Sequence, residues 1–224
     1  VIFFWAAYEQ AGASLTLFAA EQTDRTILGW EMPASWIQSF NPFFVVILAA
    51  IMPSVWGALN KRGMEPASPT KQAIGLLLLS LGYLVICFGV KDVQPGVKVS
   101  LIWLTGLYFI HTMGEIALSP IGLSMVNKLT PVRFASLMMG IWYLSTSTAN
   151  KFAGTLGGLY PEDGKVKTLL GFRIETMFDF FMVFVIMSGV ASLILFLLSK
   201  KLQKMMHGVC LLYTSPSPRD YAAS

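Results

Sequence analysis

Two carboxylates stand where carboxylates are rare: Glu9 within residues 1–20 and Glu115 within residues 99–127, each the one acidic or basic-chain charge of an otherwise apolar stretch. An acid at bilayer depth costs about 2.5–3.5 kcal/mol on insertion scales, so it needs a proton, a partner or a wet cavity. Such positions mark ion and substrate paths by default. If the flanking residues are helical, Trp5, Glu9, Gly12 and Thr16 fall on one face, and His111, Glu115, Ser119 and Gly122 form a second such line. The plainer reading is that each acid is a buried packing residue, yet two in so few intramembrane charges exceed what packing requires. His111 and Glu115 lack a third metal ligand, so no metal or other cofactor is expected. No G-x-S-x-G elbow occurs and Ser119 has no base by spacing except His111, so the residues do not point to an enzyme. His111 is read as hydrogen-bonded inside the bundle.

These side chains need elements that cross lipid. Of 224 residues 55 % are hydrophobic and only 12 % charged, against about 25 % charged in a soluble globule. Charge-poor windows at 1–20, 32–60, 72–90, 99–127, 134–159 and 180–199 each reach the roughly 20 residues that a membrane helix needs. The expected fold is an all-α membrane protein of six transmembrane helices, at about 1–20, 38–59, 71–90, 99–127, 134–159 and 176–199. Runs such as Leu76 to Leu79 are apolar on every face, which excludes a barrel strand. The net charge of +4 is scattered between apolar blocks, so nucleic acid is not an expected partner. Cys87 and Cys210 form no framework. The opening residues, with no Met and no basic leader, read as an interrupted helix, and the chain as a fragment.

Lys61, Arg62 and Lys71, then Lys128 and Arg133, then Lys200, Lys201 and Lys204 cluster beside alternate span ends, which places Val1 and the Lys200 cluster in the cytoplasm. Pro42, Pro53 and Pro120 are expected to interrupt their helices and free backbone carbonyls. Ser145, Ala149, Ala153 and Gly157 form a ridge of small residues for close helix approach. Beside it, Trp142, Thr146 and Asn150 offer a line that could face a cavity; Trp5 and Trp142 are read as lining that cavity, with an interfacial belt as the alternative. The spans divide into two sets of three, 1–90 and 99–199, each led by a helix with a buried acid, which is the layout of two inverted repeats.

Three stretches carry a resemblance: Phe4-Trp5-Ala6-Ala7-Tyr8-Glu9-Gln10-Ala11-Gly12, Gln38-Ser39-Phe40-Asn41-Pro42-Phe43-Phe44, and Gly114-Glu115-Ile116-Ala117-Leu118-Ser119-Pro120. With Met139-Gly140-Ile141-Trp142-Tyr143-Leu144 after them, the sequence resembles the proton-dependent oligopeptide transporter family of the major facilitator superfamily, over residues 1–204. It looks like the C-terminal six-helix half of a bacterial member. The resemblance implies proton-coupled symport of di- and tripeptides across the cytoplasmic membrane by alternating access. It implies that Glu9 couples the proton, Glu115 meets the peptide's amino terminus, Asn41 bonds the peptide backbone and Ser119 lies nearby. Trp5 and Trp142 would line side-chain pockets, and Leu123 and Met139 would belong to the inner gate. The N-terminal six-helix half, with the cations for the peptide carboxylate, would be the missing partner, alongside lipid. A transporter of nitrate or another small solute is the runner-up, disfavoured because an anion gains nothing from Glu115; a non-transporting membrane scaffold is the reading from another class. Residues 205–224 lack periodicity and carry two Ser-Pro steps, so they read as a disordered or artefactual tail.

Overall fold

With no water to satisfy backbone groups, a chain of this composition must close its hydrogen bonds within helices. The computed structural model describes residues 1–91, 97–161, 166–169 and 171–206. Its helices are α1 (Ile2–Tyr8), α2 (Ser14–Glu21), α3 (Phe40–Lys61), α4 (Ser68–Val90), α5 (Leu101–Leu129), α6 (Ala135–Gly157) and α7 (Met177–Met205). A 3-10 turn, Glu9–Gly12, joins α1 to α2, and another, Ala34–Ser39, leads into α3. Among the described residues four helical stretches are long and apolar enough to cross a membrane: Ala34–Lys61, Ser68–Val90, Leu101–Leu129 and Met177–Met205. α6 has 23 residues but runs through Ser145, Thr146, Ser147, Thr148, Asn150 and Lys151, and is not one of the four. The start of α7 is fixed by a reciprocal cap: Thr176 Oγ1 accepts from Asp179 N at 3.2 Å, and Asp179 Oδ2 accepts from Thr176 N at 3.0 Å. The expected tail lies outside the described residues from 207 onward.

α4 is the axis of the packing, with α5 on one side and α7 on the other. Its α5-facing glycines, Gly75, Gly82 and Gly89, recur every seven residues. A Cβ on Gly75 would stand 2.8 Å from the Gly114 carbonyl oxygen, one on Gly82 2.4 Å from His111 Cδ2, and one on Gly89 2.7 Å from Trp103 Cγ. The backbones of α4 and α5 therefore touch at Gly75 and Gly114, as small residues allow in lipid. Toward α7, Ser80 Oγ donates to Val185 O at 2.8 Å and Ser192 Oγ donates to Ala73 O at 2.7 Å. Phe180, Phe181 and Phe184 of α7 fill the space beside Tyr83, whose ring stacks on Phe184 at 4.9 Å.

Four features depart from the sequence reading. The first window is two short helices, so Trp5, Glu9, Gly12 and Thr16 do not share one continuous helical face. The break falls where no proline stands: buried Gln10 donates to Ala6 O at 3.2 Å and to Ala153 O of α6 at 2.9 Å, while Ser14 Oγ donates to Gln10 Oε1 at 2.6 Å. Side chains thus take up carbonyls that a regular helix would use. Conversely, α3 and α5 stay helical through Pro53 and Pro120, and Pro42 sits in the first turn of α3, where a missing N–H costs nothing. Lys71, read as a basic residue beside a span end, lies within α4 and is buried: it is 2 % exposed, paired with Glu65 and set 4.7 Å over the Trp56 ring. Finally, short strands occur, all in loops at one end. Thr23–Asp24 pairs in parallel with Val99–Ser100, Thr26–Ile27 pairs with Trp30–Glu31, and Lys167–Leu169 pairs with Phe172–Ile174. At that end burial and the neighbouring Glu21 carboxylate raise the pKa of the Tyr160 hydroxyl.

Candidate functional site

The site is assembled from α1, α3 and α5. The glycine contact with α4 sets the height of α5 at Gly114, and Glu115 follows directly. α1 is held by its own network: Tyr83 of α4 donates to Ala7 O at 2.6 Å, and α1 packs chiefly on α6. There the small-residue ridge does what its composition allows, with Ala149 and Ala153 buried and Ala153 O accepting from Gln10. α3 enters through the Ala34–Ser39 turn, which brings Asn41 to its first turn.

At the meeting point the Tyr8 hydroxyl donates to Glu115 Oε2 and accepts from Asn41 Nδ2, and Asn41 Nδ2 lies 3.4 Å from the same carboxylate oxygen. Glu115 Oε1 has no hydrogen-bond partner among the described residues. Beside it a cleft of about 240 Å³ opens between α3 and α5, lined by Glu115 and Ser119 and by the apolar faces of Ala49, Met52, Pro53 and Trp56. Both mid-helix prolines, Pro53 and Pro120, border this cleft. An anionic oxygen at the rim of an apolar pocket is suited to a cation that carries an apolar group.

The structure thus brings Asn41, Glu115 and Ser119 together. Glu9 is half-buried at the start of the Glu9–Gly12 turn, with no hydrogen-bond or ion-pair partner among the described residues. Neither Trp5 nor Trp142 lines the cleft. Trp5 packs edge-on to Tyr8 at 5.5 Å, its Nε1 buried without a partner among the described residues. Trp142 lies across Gly122, where a Cβ would come within 2.4 Å of its ring. Leu123 and Met139 are half-buried on α5 and α6. His111 is buried with Nε2 at 3.2 Å from Leu79 O, a structural tie between α5 and α4.

Two residues at the heart of this arrangement were not singled out from sequence: Tyr8 and Gln10. Each had a signal. A phenol or an amide within an apolar stretch must find a partner once buried.

A family model described as POT family matches residues 1–170. The chain belongs to the POT family. Among POT family relatives it is 39 % identical over 163 residues to Peptide transporter YePEPT of Yersinia enterocolitica, covering 72 % of this chain and 32 % of that protein. It is 31 % identical over 204 residues to Dipeptide and tripeptide permease A of Escherichia coli, covering 91 % and 40 %. The chain therefore spans two-fifths or less of the length of these curated relatives. A solved glutamate-to-glutamine mutant of peptide transporter POT in complex with alafosfalin matches with a TM-score of 0.80 at 31 % identity, over 92 % of this chain and 40 % of that one. A POT family transporter in complex with 5-aminolevulinic acid matches with a TM-score of 0.75 at 28 % identity, over 89 % and 39 %.

Proposed function

We propose that this chain is the C-terminal half of a cytoplasmic-membrane symporter that carries di- and tripeptides together with protons by alternating access. The observation that carries the reading is the carboxylate of Glu115, anchored through Oε2 and open at Oε1 beside an apolar cleft. A peptide's ammonium group is the cation such an oxygen accepts, and Asn41 stands where it bonds the peptide backbone. Ser119 adds a hydroxyl at the rim. Trp5 and Trp142 flank the path of the side chains, and Leu123 and Met139 close it on the cytoplasmic side. The relatives named as peptide transporters and permeases support this assignment.

Residues 1–204 act as one bundle with six crossings in two inverted sets, 1–90 and 99–199. The α1–α2 segment and α6 supply the crossings beyond the four long apolar stretches. The strand-bearing loops at one end and the exposed Lys61, Arg62, Lys128, Arg133 and Lys200 at span ends of the other support that alternation, with the basic end cytoplasmic. The complementary N-terminal half supplies cations for the peptide carboxylate, which this half does not offer.

Glu9 carries the proton. An acid without a fixed partner changes its proton affinity when the cavity around it dries or a cation approaches, and that change is what couples proton entry to peptide movement. In the full-length transporter, Glu9→Gln abolishes uphill peptide accumulation while peptide exchange continues; accumulation that persists overturns the coupling role. Glu115→Ala removes binding of peptides with a free amino terminus, measured by competition for labelled dipeptide uptake; unchanged competition overturns its assignment.

A further inference from the structure

Glu115 ends a flexible side chain, and a carboxylate that swings freely loses affinity for its ligand through the rotamers it must give up. Something must hold it. His111, one turn away, is committed to Leu79 O, and the Asn41 contact with the carboxylate is 3.4 Å long. The remaining anchor is Tyr8, 107 positions distant in sequence. Its ring is locked: stacked on Phe4 at 5.4 Å with 17° between planes, edge-on to Trp5, and 6.2 Å from the His111 ring. The residue is 8 % exposed. A fixed ring fixes the direction of its hydroxyl.

The direction of the two bonds has consequences. The Tyr8 proton goes to Oε2, so Oε1 is left to accept from a ligand. The Tyr8 oxygen accepts from Asn41 Nδ2, so the Asn41 amide is turned with its own oxygen free to accept an N–H. One phenol thus orients two acceptors, matched to an ammonium group and to the amide N–H that follows it in a peptide.

We propose that Tyr8 is the positioning residue that sets this protein's preference for a free amino terminus, by pinning Glu115 and Asn41 in the orientation that receives it. The proposal rests on the reading of Glu115 as the ammonium acceptor. It assigns to α1 a direct part in recognition, through the residue next to Glu9.

The test uses the full-length transporter with Tyr8→Phe, Asn41→Ala and the pair, with labelled dipeptide uptake competed by one dipeptide in free and N-acetylated forms. Tyr8→Phe keeps the ring and removes the hydroxyl. The expected result is a roughly tenfold weaker competition by the free peptide, the scale of one lost hydrogen bond to a charged group, and competition by the acetylated peptide within twofold of the parent. The double variant is expected to lose little more than Tyr8→Phe alone, because without the hydroxyl the Asn41 amide is already left unoriented. A free-to-acetylated ratio unchanged in Tyr8→Phe, a loss shared equally by both peptides, or single effects that multiply in the double variant would each overturn the proposal. Glu115→Gln separates the two levels. If it keeps the preference for free amines, the ammonium assignment fails and Tyr8 with it; if it loses the preference while Tyr8→Phe keeps it, the Tyr8 proposal alone fails.

Discussion

Gly75→Ala adds one carbon where α4 and α5 meet. That carbon would lie 2.8 Å from Gly114 O and 2.9 Å from Leu118 Cβ. Close C–H···O contacts settle at about 3.3–3.6 Å, so the shortfall against the carbonyl is about 0.5–0.8 Å. Neither obstacle can rotate aside, because one is backbone and the other is bonded to it. Alanine favours the helix over glycine by about 1 kcal/mol, while overpacking costs about 1–3 kcal/mol, so packing wins and the net loss reaches about 2 kcal/mol. α5 must move outward by roughly the shortfall and take Glu115 with it. Misplacement of about 1 Å at a reacting or binding group costs up to about a hundredfold, so a half-ångström shift is expected to raise KM about threefold or more. Thermal unfolding of the full-length transporter in detergent and dipeptide uptake read the two effects separately. A variant with unchanged or higher Tm and unchanged KM would refute the claim that this glycine contact sets the height of α5.

Filling the cleft with Ala49→Phe is expected to weaken uptake of dipeptides that begin with a bulky apolar residue more than those that begin with glycine. The cleft's volume of about 240 Å³ falls below the roughly 300–1,000 Å³ of pockets that enclose a whole small molecule, so it suits a single side chain. KM values for the two kinds of peptide check this, and equal effects on both would count against it. Lys71→Met leaves Glu65, 14 % exposed at its side chain, without its partner, and is expected to destabilise the turn between α3 and α4 by up to about 3 kcal/mol. Lys71→Met with Glu65→Gln is expected to recover most of that loss, read again as Tm.

The membrane class and the four long apolar helices were legible because charge is expensive in lipid and its absence is visible residue by residue. α4 and α5 match their charge-poor windows to within four residues, whereas α3 begins eight residues inside its window and α7 runs six residues past its own. The first window was misread for a physical reason. Its apolar composition resembles the others, but whether Gln10 and Ser14 bond outward or back onto their own backbone depends on Ala153 of α6, far along the chain. Proline misled in the opposite sense: Pro53 and Pro120 are accommodated within continuous helices, since in lipid neighbouring groups and local adjustment absorb the missing N–H. The Glu115, Asn41 and Ser119 grouping was reached through motif resemblance, and spacing alone joins only Glu115 and Ser119. Tyr8 belongs to that grouping through a contact between α1 and α5 that no local pattern contains.

The broken first segment also bears on how the protein is made. Helices of 7 and 8 residues are too short to enter lipid alone, and the groups that bond this segment, the Tyr83 hydroxyl donating to Ala7 O, the Tyr108 hydroxyl donating to Ala11 O and Ala153 O accepting from Gln10, are translated afterward. The segment thus leaves the ribosome ahead of α4, α5 and α6, the elements that seat it.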